Sequence, residues 1–215
     1  MKNEPDEEST MPAAPRITKR STMQEVLVAY PSAQRALFGR FHIGGCNSCG
    51  YQPEDILEDV AHSHKIHDLD EVIKLIEDAE QIDQRLQVSP GDVAIALRSV
   101  NPPRLVDVRD PQEWDLARIQ GAMLNSEALS KEMMRWPKGT LIVFYCHLGQ
   151  RSLDASSYFA GHGFKNAWSM IGGIDAWSLH VDASVPRYEL AGDVDGKATL
   201  RPLRSVVSQA AGCQN

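Results

Sequence analysis

A cysteine closes the most apolar stretch of the chain. Leu141-Ile-Val-Phe-Tyr-Cys146 runs directly into His147-Leu148-Gly149-Gln150-Arg151-Ser152. A thiol at the carboxyl end of a strand, followed by a glycine-containing loop and a helix start, sits where open α/β sheets bind their ligands. Loop N–H groups can curl around the sulfur, the next helix presents its positive end, and Arg151 adds a fixed positive charge. Together these favour thiolate over thiol, and the thiolate is the nucleophile. The same cradle suits an oxyanion such as thiosulfate, or the terminal sulfur anion of a persulfide. This chemistry requires the sulfur to open to solvent at the middle of the sheet, with the amides aimed at it. An entombed sulfur would leave only a fold assignment. The competing reading is an inert, packed strand-end cysteine; the spacing of Gly149 and Arg151 argues against it. His147 is expected to form a wall of the loop or an acceptor contact rather than to act as a base.

A second thiol feature is Gly45-Cys46-Asn-Ser-Cys49-Gly50. A Cys-x-x-Cys pair can form a disulfide, lower one thiol's pKa, or supply half of a zinc or iron–sulfur site. His42, His62, His64 and His67 lie nearby in sequence, and His64 and His67 could share a helix face. The simpler reading of these histidines is a solvated acidic surface. Cys46 and Cys49 are therefore read as a redox or sulfur-accepting pair in preference to a metal site, with inert packing as a third option. No metal and no cofactor are expected. Cys213, near the C-terminus, is read as incidental.

These groups need elements to hold them. Residues 1–16 are rich in Glu, Pro, Ser and Ala and read as a disordered tail. Residues 17–85 read as a small all-α domain. Thr22 caps a helix from Met23 to Tyr30, Ser32 caps a second, Pro53 opens a third, and Leu69, Val72, Ile73 and Ile76 form an apolar stripe on a fourth. From residue 86 to 190 strands alternate with helices, which indicates a mostly parallel sheet with flanking helices. Leu105-Val-Asp-Val and Ala167 to Met170 read as strands, and Leu141–Cys146 as a central strand covered on both faces. Helices are expected at Pro90–Ser99, Pro111–Ala117, Glu127–Arg135, Ser152–His162 and Ile174–Leu179. Residues 191–215 form a C-terminal extension, with a possible hairpin turning at Asp195-Gly196.

The 215 residues carry 22 basic and 29 acidic side chains, a formal net charge of −7, and are 42% apolar. That balance argues against nucleic acid or an anionic membrane as partner. Collagen, coiled coil and wholesale disorder are excluded. No run approaches the roughly 20 apolar residues that span a bilayer, and the acidic N-terminus does not read as a secretory signal. Four cysteines are too few for a disulfide framework in a chain this long. A cytoplasmic location is the expectation.

Six pieces, taken in order, carry a family resemblance: Leu105-Val-Asp107-Val-Arg109, Glu113-Trp114, Gly121-Ala122, Cys146-x-x-Gly-x-Arg-Ser152, Gly163-Phe164 and Gly172-Gly-Ile-Asp-Ala-Trp177. Over about residues 88–187 the chain resembles a rhodanese homology domain. The resemblance implies that Cys146 attacks the outer sulfur of thiosulfate, releases sulfite and keeps the sulfur as a persulfide. Cyanide or a thiol then accepts it. The persulfide would rest on the backbone of His147, Leu148, Gly149, Gln150, Arg151 and Ser152, with Arg151 closing the loop. Asp107 and Arg109 match a segment that buttresses the site. The chain departs from the pattern at Ala117-Arg118-Ile119-Gln120-Gly121 and at Asn125-Ser126-Glu127, both outside the loop. Protein phosphatases with a related cradle place five residues between Cys and Arg. Four stand here, which fits a sulfur atom better than a phosphoryl group. The stretch from Ile17 to about Ala79 also resembles a small domain of uncharacterised function found beside redox and iron–sulfur proteins.

The expected function is sulfurtransferase, taking sulfur from a small donor anion and passing it to a thiol or protein acceptor. Cys46 and Cys49 would accept that sulfur, reduce it, or dock the acceptor. The alternatives are a non-catalytic rhodanese-like interaction module, or a metal or iron–sulfur protein using Cys46 and Cys49.

Overall fold

The computed structural model describes residues 16–44, 50–194 and 197–203. Cys46, Cys49 and Cys213 lie outside these residues, as do the Asp195-Gly196 turn and all of the expected tail but Arg16. The chain divides into two units, Met1–Gln84 and Arg85–Asn215.

The first unit holds four helices: α1 (Met23–Ala29), α2 (Ala33–Phe41), α3 (Leu57–Ser63) and α4 (Leu69–Arg85). Thr22 caps α1 as its sequence predicts. Its hydroxyl accepts from the Glu25 N–H at 3.2 Å, and the Thr22 N–H donates back to the Glu25 carboxylate at 2.8 Å. Two helix starts differ from expectation. Ser32 makes no capping bond but turns its hydroxyl to Glu80 at 2.9 Å, since that long-range carboxylate is the stronger acceptor. Pro53 sits in a turn, and α3 begins only at Leu57. The apolar faces converge on a core of Met23, Val26, Leu37, Leu57, Val60, Val72 and Ile76.

His64 and His67 do not share a helix face. His64 caps the end of α3, its ring Nδ1 2.9 Å from the Val60 carbonyl, while His67 lies in the following loop. No group of three His, Cys, Asp or Glu is placed to hold a metal among the described residues. Nor is any helix there long and apolar enough to cross a membrane.

The second unit is an α/β layer. Strands β1 (Gln87–Val88), β2 (Arg104–Asp107), β3 (Met123–Leu124), β4 (Ile142–Tyr145) and β5 (Ala167–Met170) form one sheet in the order β1-β5-β4-β2-β3. Every pairing is parallel. The two-residue strands β1 and β3 were not legible in the sequence; each is too short for an alternating pattern. Helices α5 (Pro90–Ala96), α6 (Pro111–Leu116), α7 (Glu127–Met133), α8 (Gln150–Gly161) and α9 (Gly173–His180) cover the sheet.

The central β4 explains its own composition. Val143 and Tyr145 enter one core with Val93, Ile174 and Trp177, while Ile142 and Phe144 enter another with Met133, Phe159 and Phe164. Both faces are buried, so the strand reads as a continuous apolar run rather than an alternating one. β6 (Tyr188–Val194) and β7 (Lys197–Pro202) form the antiparallel hairpin. Tyr188 is fully buried in the first of those cores and Leu200 packs against it.

Candidate active site

Cys146 follows the last residue of β4, and a short loop carries the chain into α8. Gly149 turns that corner at φ 101°. Only glycine adopts this conformation cheaply, and an added Cβ would stand 3.1 Å from the Gly172 nitrogen. The Gly149 N–H donates to Cys146 Sγ at 3.1 Å. The Ser152 hydroxyl lies 3.5 Å from the same sulfur and 2.8 Å from the Ser169 hydroxyl. The Ser152 hydroxyl also lies 3.0 Å from the Gly149 carbonyl, which can only accept, so its one proton is shared between that oxygen and the more distant sulfur. The N–H groups of Gln150, Arg151 and Ser152 belong to the first turn of the twelve-residue α8, where they have no intrahelical acceptor.

The start of α9 pins the loop from below. The Ile174 N–H donates to the Cys146 carbonyl at 2.8 Å and the Asp175 N–H to the His147 carbonyl at 3.2 Å. Gly172 and Gly173 are both left-handed, and a Cβ on Gly173 would fall 2.2 Å from the Cys146 carbonyl oxygen. Gly173 is thus required by the close approach of two backbones, while a Cβ on Gly172 would meet the Ala176 methyl at 2.6 Å.

Three expectations need correction. First, the sulfur does not open to solvent: Cys146 is 1% exposed, because Gly149, Ser152 and the β5–α9 corner close around it. Second, Arg151 does not offer a spare positive charge to the loop. Its guanidinium makes a bidentate pair with Glu113, at 2.6 and 2.7 Å, with Asp110 3.7 Å away. Third, His147 does not line the loop with its side chain. Its ring stacks on Tyr188 with centroids 4.2 Å apart, and Nε2 lies 3.0 Å from the Tyr188 carbonyl. A carbonyl only accepts, so the ring proton sits on Nε2. Burial pushes the imidazole pKa down, which favours the neutral ring.

Asp107 and Arg109 stand back from the sulfur. Arg109 is fully buried and donates to both Asp107 oxygens, to the Ala117 carbonyl at 2.6 Å and to the Tyr188 hydroxyl at 2.8 Å. Tyr188 in turn donates to Glu113 at 2.7 Å, and Glu113 holds Arg151. A continuous polar chain therefore runs from Asp107 through Arg109, Tyr188 and Glu113 to Arg151. Glu113 and Tyr188 had no assigned task in the sequence. The three-residue spacing of Asp110 and Glu113, that of a capping box, marks Glu113 as a helix-start carboxylate, but nothing local marks Tyr188.

Burial pushes the Glu113 carboxyl up, but the bonds from Arg151, Tyr188 and the Asp110 N–H outweigh it and hold the pKa down to about 2. The ordinary value is 4.5, so this carboxylate's stabilisation is fully present above about pH 4.5 and is lost as pH falls through about 2. The loss amounts to about 3 kcal/mol. All four tryptophans (114, 136, 168 and 177) lie in the second unit, so their fluorescence isolates its unfolding. The urea midpoint read this way is expected to fall between about pH 5 and pH 2, and Glu113→Gln to flatten the fall. An equally steep profile in the variant would refute the assignment.

The match to a family model agrees with this architecture. The rhodanese-like domain model matches residues 90–180. The thiosulfate sulfurtransferase GlpE of Ectopseudomonas mendocina is 34% identical over 92 residues, covering 42% of this chain and 83% of GlpE. The probable adenylyltransferase/sulfurtransferase MoeZ of Mycobacterium tuberculosis is 32% identical over 115 residues, covering 52% of this chain. The chain spans only 29% of MoeZ's length. Among solved structures, the human single-domain sulfurtransferase TSTD1 is 22% identical with a TM-score of 0.39, covering 44% of this chain and 96% of that one. The chain belongs to the rhodanese family, and at the level of that family the chemistry is transfer of a sulfur group.

Proposed function

We propose that the chain is a sulfurtransferase working through a persulfide on Cys146. The observation that carries this is the Gly149 N–H donated to Cys146 Sγ at 3.1 Å, beside the open first turn of α8. Cys146 sulfur attacks the outer sulfur of the donor. The donor's bond to that sulfur breaks, and the remainder leaves with the bonding pair. The Sγ–S bond forms in exchange. An acceptor thiolate then attacks the outer sulfur and Sγ leaves as thiolate, so neither half needs an external oxidant or reductant. Loop and first-turn amides hold the outer sulfur through both halves. Asp107 and Arg109 support the loop through Tyr188, and Arg151 is a positioning residue tying α8 to α6. Cys146 is buried at rest, so entry of the outer sulfur requires the loop to open slightly while its amides stay aimed at Sγ. The all-α stretch is proposed as a separate domain whose Cys46 and Cys49 receive the sulfur.

That same burial favours a second reading, a non-catalytic interaction module with an inert cysteine. One experiment separates the two. The intact chain is incubated with a sulfane-sulfur donor, digested without reductant, and the peptides are weighed. The peptide carrying Cys146 is expected to gain the mass of one sulfur atom, and addition of thiol to remove it. Sulfur found on no cysteine, or only on Cys46, Cys49 or Cys213, overturns the proposal.

A further inference from the structure

The charges around the loop bear on which donor it takes. Thiosulfate is a compact dianion, and a site that gathers it needs spare positive charge. Between Cys146 and Ser152 the sequence supplies one permanent cation, Arg151. That cation is spent. Both of its terminal nitrogens bond Glu113, and the exposed Asp110 carboxylate stands 3.7 Å away, so this cluster carries one net negative charge. The next arginine, Arg187, is likewise held by both oxygens of Asp175, at 2.7 and 2.9 Å. Arg109 is fully buried against Asp107. The His147 ring faces Tyr188, bonded to its carbonyl and stacked on its ring.

The loop's exposed side chains are of another kind. Leu148 is 60% exposed. The β5–α9 corner lies against Gly149, and its Ile171 is 47% exposed. Two exposed apolar residues therefore adjoin, along the chain, the two glycines that meet beside the sulfur, Gly149 and Gly172.

Resting on the sulfurtransferase reading above, we infer that the donor is an alkyl persulfide, R–S–S⁻, with an apolar or weakly charged R, rather than thiosulfate. Such a donor brings one negative charge instead of two. Its R group rests on Leu148 and Ile171 while the outer sulfur reaches Sγ. The balance is simple: the R–S–S⁻ bond between its two sulfurs breaks, R–S⁻ leaves with the pair and takes a proton from solvent, and the outer sulfur joins Cys146 Sγ. No electrons enter or leave.

The test compares second-order rates of sulfur loading onto Cys146 of the full chain, followed by peptide mass. The donors are thiosulfate and hydroxyethyl persulfide, the latter made from sulfide and hydroxyethyl disulfide, each of which is also run alone as a control. The persulfide is expected to load at least roughly tenfold faster at low ionic strength. The thiosulfate rate is expected to rise with salt, because screening relieves a repulsion. Asp110→Asn, which keeps a good helix cap, is expected to raise the thiosulfate rate several-fold at low salt and to narrow the gap between donors. A thiosulfate rate that equals the persulfide's, falls with salt, or ignores Asp110→Asn overturns the donor class while sulfur transfer stands. Loading from neither donor overturns the transfer reading itself.

Discussion

Gly173→Ala is expected to destabilise the second unit by about 3 to 5 kcal/mol and to slow sulfur loading of Cys146 by roughly 100-fold. Two costs add. The residue sits at φ 58°, where an L side chain is strained. Its new Cβ would also meet the Cys146 carbonyl oxygen at 2.2 Å and the His147 carbonyl oxygen at 2.4 Å. Those atoms are backbone and cannot swing away, so the α9 start and the Cys146 loop must separate. The Ile174 N–H bond to the Cys146 carbonyl goes with them. Gly121→Ala is the matched control. Its φ of 81° imposes similar strain, but nothing lies within 4 Å of its Cβ. It should cost only about 1 to 2 kcal/mol and leave loading intact. Tryptophan-monitored urea unfolding reads the first effect and peptide mass the second. Equal behaviour of the two variants would show that the close approach does not shape the loop.

Cys146→Ser is expected to do the opposite: loading falls by more than about 10³-fold while stability changes by no more than about 1 to 2 kcal/mol. The serine oxygen can still accept the Gly149 N–H, so the loop keeps its tie. A hydroxyl is a poor nucleophile without a base, and His147 is held away by Tyr188. Loading that survives the substitution would move the chemistry to another thiol. An inert module would show no loading in either protein, so the pair of measurements also addresses the burial of Cys146.

Much of the fold was legible because its signals are local. Residue types over a few positions give the β4 run, the Thr22 cap and the α4 stripe, and the structure has all three. Ser32 failed because its hydroxyl found a carboxylate 48 residues away. The loop's path was legible for the same local reason, since Gly149 must turn where β4 meets α8. Its electrostatics were not.

The alternation of the longer strands with helices, the mostly parallel sheet and the place of Cys146 at the end of its central strand follow from the sequence alone, because hydrophobic period and turn residues act within one element. Tertiary structure decided the rest. Glu113 reaches Arg151 across 38 residues and Tyr188 across 75, and those pairings cancel the charge that spacing alone assigned to the loop. The burial of the sulfur has the same origin: it comes from α9 and β5 folding back onto β4, contacts between segments that no local pattern ties together.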